Sequence, residues 1–160
     1  MEIEAYKETD IPEMIAIWNE VVNAGQAFPQ EKPETESSAR EFFASQSFCG
    51  VARNEAGEMT GLYILHPNNV GRCGHICNAS YAVSANRRGK GAGRALVEHS
   101  LATAKKLGFR IMQFNAVATD NAAANTLYPK LGFSRLGTIP EGFRRPDGSW
   151  QDINLYYRKL

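Results

Sequence analysis

The segment 87–93, which reads Arg-Arg-Gly-Lys-Gly-Ala-Gly, separates two stretches of different character. Residues 75–83 before it read as a β-strand, and residues 91–108 carry apolar and small residues at helical spacing. A strand that runs through glycines into a helix N-terminus brings unpaired backbone N–H groups and the positive end of the helix dipole together. The sequence therefore predicts an anion-binding loop between a strand and a helix.

The elements around this loop predict an α/β fold with a mixed sheet. Residues 110–117 form a further strand, so strand, helix and strand make a right-handed crossover with two parallel strands. Strands Phe48–Arg53 and 59–65 form an antiparallel hairpin, because the connection between them ends in a glycine. A short first strand precedes a helix that Asp10 opens, with Glu13 at capping-box spacing. A second helix of about a dozen residues ends near Gln46. The remaining predicted elements are a short helix at 121–131 and strands at 133–138 and 153–158.

Length and charge limit the class of protein. A chain of 160 residues fits one domain, which we expect to span residues 1–160. Its 18 Lys and Arg against 17 Asp and Glu exclude a strongly basic nucleic-acid-coating protein. No apolar run reaches the roughly 18 residues of a membrane span, and the acidic first four residues lack the basic start of a signal peptide. We expect a cytoplasmic protein with reduced thiols and with no nucleic-acid or membrane partner.

Residue spacing excludes three common ligand-binding motifs. A dinucleotide fingerprint needs a glycine where this chain has Arg94, and no Gly-Lys-Ser/Thr ends the loop as in a Walker A motif. The group Cys73, His75 and Cys77 supplies at most three ligands and has no second cluster, so no metal site is expected. Spacing alone leaves open another kind of anion site or a tight glycine turn with solvated arginines.

Residues 88–93 also fit the pattern R-x-x-G-x-G, which resembles the acetyl-coenzyme A signature of the GNAT superfamily of N-acetyltransferases. A second segment, residues 121–133, resembles the Asn-led helix of that family, which ends in L-Y-x-K-L-G-F. The resemblance implies a GNAT-like fold, with a mixed central sheet of about six to seven strands and a splayed parallel pair. It also implies acetyl-CoA as the cofactor, and relatives are often homodimers.

By the same resemblance, the glycine loop holds the pyrophosphate of coenzyme A on its backbone amides, and Arg87, Arg88 and Lys90 supply positive field. The pantetheine arm runs along strand 75–83 as a surrogate strand. A main-chain N–H near Tyr81 polarises the thioester carbonyl. The implied cofactor-binding residues are Tyr81, Val83, Arg88, Gly89, Lys90, Gly91, Ala92, Gly93, Arg94, Asn121 and Tyr128.

Acetyl transfer by direct attack of an amine needs a neutral amine, stabilisation of the developing oxyanion and a donor for the departing thiolate. Tyr128 matches the general acid of the family, and Asn121 either caps the short helix or points its amide at the sulfur. The strand 75–83 lacks the carboxylate that many relatives use as a base, and we expect His75 at the surface. Pro129 disfavours helical geometry at Tyr128, which leaves the direction of that side chain open.

Polar residues in the two strands that are expected to splay indicate an acceptor pocket. Asn78 and Asn115 either line this pocket or serve as hydrogen-bonding groups at strand ends. With the segment 25–30, Gly-x-x-Phe-Pro-Gln, they are similar to the branch that acetylates free amino acids and their analogues, including proline analogues. In that interpretation Phe28 and Gln30 reach the acceptor, although a surface turn also explains them.

The loop before the last strand carries two further cations. Arg144 and Arg145 either clamp an acceptor carboxylate or are solvated, and adjacent loop arginines favour the solvated position.

Three functions follow from these patterns. The first is an acetyl-CoA-dependent N-acetyltransferase that acts on a small amine or amino-acid-like acceptor in a ternary complex. The second is a protein N-terminal or lysine acetyltransferase. The third is a non-catalytic sensor of acyl-CoA, which the missing carboxylate and Pro129 favour, whereas Tyr128 and Asn121 favour an enzyme.

Overall fold

The computed structural model describes residues 1–160. The strands are β1 (Glu2–Ala5), β2 (Phe48–Arg53), β3 (Met59–Pro67), β4 (Ile76–Val83), β5 (Ile111–Ala118), β6 (Ser134–Arg144) and β7 (Trp150–Lys159). The helices are α1 (Ile11–Ala24), α2 (Glu36–Ala44), α3 (Ala92–Lys106) and α4 (Ala122–Lys130). All seven strands form one sheet in the order β1-β2-β3-β4-β5-β7-β6. The predicted α/β class with a mixed sheet is confirmed. No helix is both long and apolar enough to cross a membrane.

Helices cover both faces of the sheet. α1 and α2 pack on one face, where Phe43 is buried, and α3 packs on the other face through Leu96. β3 contributes to both layers because alternate side chains of a strand point to opposite faces. Leu62 belongs to the first layer and Tyr63 to the second. Each such fully buried side chain contributes about 1.5–3 kcal/mol, so the two layers hold β3 and its neighbours in place.

The parallel pair of strands is short. β4 and β5 pair at two positions only, and the second of these joins Cys77 to Met112. β4 continues to Val83, with its other edge paired to β3 from Cys77 to Val83. β5 also bulges away from β7 between Phe114 and Val117. The two parallel strands therefore diverge, as the resemblance implied, and leave main-chain groups without ladder partners.

The start of α1 follows Asp10 as predicted, but the predicted capping box is absent. The Asp10 carboxylate accepts the Lys7 N–H at 2.9 Å and pairs with Arg53 at 2.6 Å. Glu13 accepts the Met59 N–H at 3.2 Å instead of turning back to its own helix. These acids connect α1 to the β2–β3 hairpin, because contacts from another element compete with the local cap.

Two other boundaries differ from the predicted ones. α2 is nine residues long rather than about a dozen, because Thr35 caps it by accepting the Ser38 N–H. The last hairpin is longer than expected, with strands of 11 and 10 residues. Its register shifts at two places, between Arg135 and Gly137 and again before Phe143, and these irregularities hide the alternation of the strand in the sequence.

The side chain of Asn125 fixes α4 to the sheet. Its amide nitrogen donates to the Ala118 carbonyl at 2.9 Å. Its Oδ1 accepts from Asn154 Nδ2 at 2.9 Å and from the Tyr156 hydroxyl at 2.7 Å. Polar groups that are buried need such partners. The network therefore determines how α4, and with it Tyr128 in its last turns, lies against β5 and β7.

We expect Asn125→Ala to lower the free energy of unfolding by about 2–3 kcal/mol, because it leaves the Nδ2 group of the buried Asn154 and the Tyr156 hydroxyl without an acceptor. Asn23→Ala is the matched control, since Asn23 is exposed on α1. The control should change stability by less than about 0.5 kcal/mol. Urea denaturation measures both variants, and equal midpoints would contradict the anchoring role of Asn125.

Candidate active site

A cleft of about 620 Å³ lies beside the C-terminal end of β4, between α3, α4 and the end of α1. One strand and three helices meet here because β4 diverges from β5 and leaves space. The cleft is lined by Val21, Ala24, Gln26, Ala27, Tyr81, Val83, Arg88, Gly89, Gly93, Val97, residues 120–124, Leu127 and Tyr128. The structure thus brings seven of the predicted cofactor-binding residues together. Lys90, Gly91, Ala92 and Arg94 belong to the adjoining loop and first turn of α3 without lining the cleft.

The glycine loop has the backbone conformation that glycine favours. Gly89 and Gly91 have φ angles of +79° and +83°, which side-chain-bearing residues rarely adopt. Gly91 is the N-cap of α3, and no side chain caps this helix end. A Cβ atom built on either glycine would meet nothing within 4 Å. No protein atom therefore fills the space beside these glycines, and the first N–H groups of α3 have no side-chain cap, which suits an anion.

Local acids neutralise two of the four cations around this loop. Arg87 pairs with Glu58, and Arg94 pairs with Glu98 one turn along α3 at 2.8 Å. Hydrogen bonds from Asn54 and Arg87 lower the pKa of Glu58, so this acid stays ionised. Arg88 and Lys90 are exposed and form no ion pair. The positive field expected of the loop therefore comes mainly from those two residues.

Contacts from distant parts of the chain hold the start of the loop. The Glu20 carboxylate on α1 accepts the Ala85 N–H at 2.9 Å, and the Thr60 carbonyl accepts the Ser84 N–H at 3.0 Å. Sequence reasoning missed Glu20 and Glu58, because each acts on a residue far along the chain and neither belongs to a local motif.

Tyr128 lies on an aromatic cluster at the inner end of the cleft. Its ring centroid is 4.5 Å from that of Phe114 and 5.5 Å from those of Phe133 and Tyr156. Its hydroxyl makes no hydrogen bond within the protein. Burial, with a smaller effect from Tyr156, raises the pKa of Tyr128 above its ordinary value of 10.0. The phenol is therefore protonated at neutral pH and has a free donor.

Pro129 does not end α4 at Tyr128. The helix continues to Lys130, so the proline lies in its last turn. The Tyr128 carbonyl accepts the N–H groups of Leu131 and Phe133 at 3.1 and 3.0 Å. These bonds close the end of the helix, and the tyrosine keeps a regular position despite the proline.

Asn121 is the N-cap of α4. Its Oδ1 accepts the Ala124 N–H at 3.1 Å, which is the first of the two roles that the sequence left open. The same side chain lines the cleft, and its amide nitrogen has no partner within the protein. Capping and a contact with a ligand are therefore compatible.

Three asparagines form an amide cluster where β4 and β5 diverge. Asn115 donates from Nδ2 to Asn68 Oδ1 at 2.5 Å, and Asn68 donates in return to Asn115 Oδ1 at 3.3 Å. Asn78 donates to the same Asn68 oxygen at 3.5 Å. Asn115 is exposed and Asn78 half-buried. The structure therefore brings the two predicted acceptor residues together through Asn68, which the sequence did not single out.

Phe28 and Gln30 lie apart from the cleft. Phe28 is 9% exposed, and its ring centroid is 4.4 Å from that of Trp18. The Gln30 amide accepts from Trp18 Nε1 at 2.9 Å and donates to Glu34 at 2.8 Å. The loop after α1 reaches the cleft through Gln26 and Ala27 instead. A contact of Phe28 or Gln30 with the acceptor stays a prediction.

His75 and the cysteines, the other groups considered from the sequence, lie outside the cleft lining. His75 is exposed at the start of β4, where its carbonyl accepts the Arg110 N–H at 2.9 Å. Cys73 is exposed, whereas Cys77 is buried and donates to the Ile111 carbonyl at 3.3 Å. No three His, Cys, Asp or Glu side chains are grouped so as to hold a metal ion.

The fold and the glycine-loop cleft are those expected of an acetyltransferase that uses acetyl-CoA, and comparison with known proteins identifies the family. Residues 14–133 match the Acetyltransferase (GNAT) family, so the chain belongs to that family. It is 31% identical over 144 residues to the N-acetyltransferase aca1 of Schizosaccharomyces pombe, with 79% of this chain and 68% of that protein covered. It is 29% identical over 158 residues to the L-methionine sulfoximine/L-methionine sulfone acetyltransferase of Pseudomonas aeruginosa, with coverage of 94% and 90%.

Solved structures have the same fold. A GCN5-related N-acetyltransferase from Kribbella flavida superposes with a TM-score of 0.91 at 32% identity, covering 99% of this chain and 97% of that one. A phosphinothricin acetyltransferase from Sinorhizobium meliloti, solved in complex with acetyl-CoA, gives a TM-score of 0.91 at 24% identity, with coverage of 99% and 88%. The predictions of a GNAT-like fold, an acetyltransferase and acetyl-CoA as cofactor are confirmed at the level of the family.

The residues present fit this cofactor. The uncapped N-terminus of α3, the two positive-φ glycines and the unpaired Arg88 and Lys90 suit a pyrophosphate. The edge of β4 beyond Cys77, which has no ladder partner on β5, suits an amide-bearing arm.

We expect Gly91→Asp to weaken binding of acetyl-CoA by about 100-fold or more. A side chain at this φ costs about 1–2 kcal/mol in the loop, and the carboxylate repels the pyrophosphate. Gly57→Asp is the control, because Gly57 has a similar φ of +78° with open space around it, in the β2–β3 turn. Calorimetric titration with acetyl-CoA compares them, and equal affinities would contradict a role of the loop in binding.

Proposed function

We propose that this GNAT acetyltransferase transfers an acetyl group from acetyl-CoA to the amine of a small amino-acid-like acceptor, in a ternary complex. The observation that carries this proposal is that an uncapped helix N-terminus and an unbonded, protonated Tyr128 face the same cleft. The relative in Pseudomonas aeruginosa is named for its action on methionine sulfoximine and methionine sulfone, which are amino-acid analogues. This favours the same class of acceptor here.

In this proposal, the chain binds the cofactor through its loop and its free strand edge. Backbone N–H groups of residues 89–94 hold the pyrophosphate, and the side chains of Arg88 and Lys90 add positive charge. Main-chain groups near Tyr81 and Val83 hold the pantetheine arm and orient the carbonyl group. Acetyl-CoA supplies an acetyl thioester, whose leaving group is a thiolate.

Tyr128 acts as the proton donor to that thiolate. The phenol is protonated at neutral pH and has no competing hydrogen bond, so the donor is available. As the C–N bond forms and the C–S bond breaks, the thiolate takes the Tyr128 proton, and the proton that the attacking amine loses restores the phenol through water. The aromatic cluster fixes the ring, so the hydroxyl does not have to be ordered when the ligands bind. Asn121 presents its free amide nitrogen nearby while its oxygen caps α4.

Direct attack by the amine is favoured over an acyl-enzyme. Burial raises the pKa of Cys77 to about 12, and its thiol already donates to a backbone carbonyl. A thiol in this state is a poor nucleophile at neutral pH. β4 carries no carboxylate, so the neutral fraction of the amine, or ordered water near Asn78 and Ser80, takes the place of a protein base.

The amide cluster forms the acceptor pocket in this proposal. Asn78 and Asn115 offer both donors and acceptors at the divergence of β4 and β5, which suits the ammonium and carboxylate groups of an amino acid. The reciprocal Asn68–Asn115 pair holds one of these amides in place.

A thiol-release assay tests the acceptor class. Purified protein and acetyl-CoA are combined with free amino acids, methionine sulfone, proline analogues, polyamines and peptides. Turnover of free amino acids or analogues is the expected result. Turnover of peptides alone would support a protein acetyltransferase, and cofactor binding without any turnover would support a sensor.

Tyr128→Phe should lower kcat by about 100-fold, because the donor to the thiolate is lost. Its affinity for acetyl-CoA should stay within about twofold, since the hydroxyl bonds to nothing in the protein and the ring packing is kept. Tyr6→Phe is the control, because Tyr6 lies at the edge of the other core layer. Unchanged kcat in Tyr128→Phe would remove the tyrosine from the acid role.

The pH profile gives a second test of the same residue. Burial disfavours the charged phenolate, so the donor form of Tyr128 persists above its ordinary pKa of 10.0. The rate should therefore rise between about pH 7 and 9 as the acceptor amine loses its proton, with no fall from deprotonation of Tyr128. Extending the profile to about pH 10.5 separates a raised pKa from the ordinary one, and a falling limb near pH 10 that disappears in Tyr128→Phe would contradict the raised pKa.

A further inference from the structure

Arg145, in the turn between β6 and β7, is largely buried although the sequence favoured a solvated position. Only 11% of its side chain is exposed. Its guanidinium donates to Gln26 Oε1, to Asp120 Oδ2 at 2.6 Å and to Gln151 Oε1 at 3.1 Å. The neighbouring Arg144 is 59% exposed and pairs only with Glu31. The expectation is therefore wrong for Arg145 and right for Arg144.

Two of the three partners of Arg145 line the cleft. Gln26 follows the end of α1, and Asp120 directly precedes Asn121, the N-cap of α4. Arg145 itself is not part of the lining. We propose that Arg145 is a positioning residue for acetyl transfer, which holds the α1 loop and the start of α4 at a fixed separation across the cleft.

Neighbouring contacts reinforce this connection. The Pro146 ring lies against Gly25, where an added Cβ would stand 2.2 Å from Pro146 Cγ. Gln151 donates to Thr119 Oγ1 at 2.6 Å, so the third partner of Arg145 is bonded to the segment before Asp120. The hairpin turn is thus joined to both walls by an apolar contact on one side and by hydrogen bonds on the other.

The chemistry of the side chain suits this role. A planar guanidinium holds several acceptors in fixed directions, whereas an ammonium group is a point charge with a flexible stem. A displacement of about 1 Å in a catalytic site can lower the rate by up to about 100-fold. The inference rests on the acetyltransferase activity of the family and on the proposed use of this cleft, and it is independent of which amine is the acceptor.

The test compares Arg145→Ala, Arg145→Lys and Asp120→Asn with Arg144→Ala as the matched control from the same loop. We expect kcat/KM to fall at least about tenfold in Arg145→Ala, and Kd for acetyl-CoA to rise at least about fivefold, because both walls move. Arg145→Lys should lie between Arg145→Ala and the wild type. Arg144→Ala should stay within about twofold of the wild type in both quantities.

A double variant separates positioning from a general loss of stability. If Arg145 acts through Asp120, adding Asp120→Asn to Arg145→Ala should lower kcat/KM by less than about twofold further. A lower Tm with unchanged kcat/KM and unchanged Kd, measured well below that Tm, would overturn the proposal. If Arg145→Ala does not fold, kcat/KM and Kd for acetyl-CoA are measured in Arg145→Lys and Asp120→Asn. Wild-type values of both quantities in these two variants would overturn the proposal.

The acceptor proposal fails independently of this one. If the wild type turns over no small amine, the acceptor class is wrong, and calorimetry with acetyl-CoA still decides the role of Arg145. Equal Kd values for Arg145→Ala, Arg145→Lys and the wild type would then overturn it.

Discussion

The interrupted ladder between β4 and β5 is the constraint on which the site depends. Backbone groups left unpaired inside a protein cost about 1–3 kcal/mol each when they are buried, so a sheet does not diverge without compensation. β4 tolerates the loss because its other edge stays paired with β3 from Cys77 to Val83. One edge fixes the position of the strand, and the other faces the cleft, where a ligand with amide groups can complete it.

Local pairing explains how a nearly neutral chain provides an anion site. Glu58 and Glu98 neutralise Arg87 and Arg94, and these pairs hold the ends of the loop rather than attract a ligand. The field at the loop therefore arises from two side chains and from the oriented N–H groups of α3. Such a field is short-ranged under physiological salt, so it acts on an anion in contact with the loop.

The parts of the site that the sequence predicted are those that depend on consecutive residues. A glycine loop needs certain φ angles at successive positions, and an amphipathic helix repeats over a few turns, so both leave a local pattern. Asn68 and Asn115 are 47 residues apart, and Glu20 and Ala85 are 65 apart, so each pair depends on how distant elements pack. No local rule indicates such partners.

Residue type alone also predicts solvent exposure wrongly at some positions. The segment Gly-x-x-Phe-Pro-Gln also fits an exposed turn, the alternative that the sequence left open, yet Phe28 is buried against Trp18 of α1. Two adjacent arginines fit a solvated turn, yet Arg145 meets three acceptors brought there by other elements. In both cases tertiary packing overrides a preference that is only statistical.

β5 shows how side chains replace the backbone bonds that the divergence removes. Its ladder to β4 stops at Met112, and its ladder to β7 is broken between Phe114 and Val117, so Asn115 has ladder partners on neither side. A bulge of this kind changes the direction of a side chain, and here the Asn115 amide turns to Asn68 across the gap. Below Asn115 the strand is held by its ladders, and beyond the bulge the Asp120–Arg145 pair holds the turn into α4. The segment between depends on amide side chains, and the acceptor pocket proposed here is therefore built from the same groups that keep β5 in place.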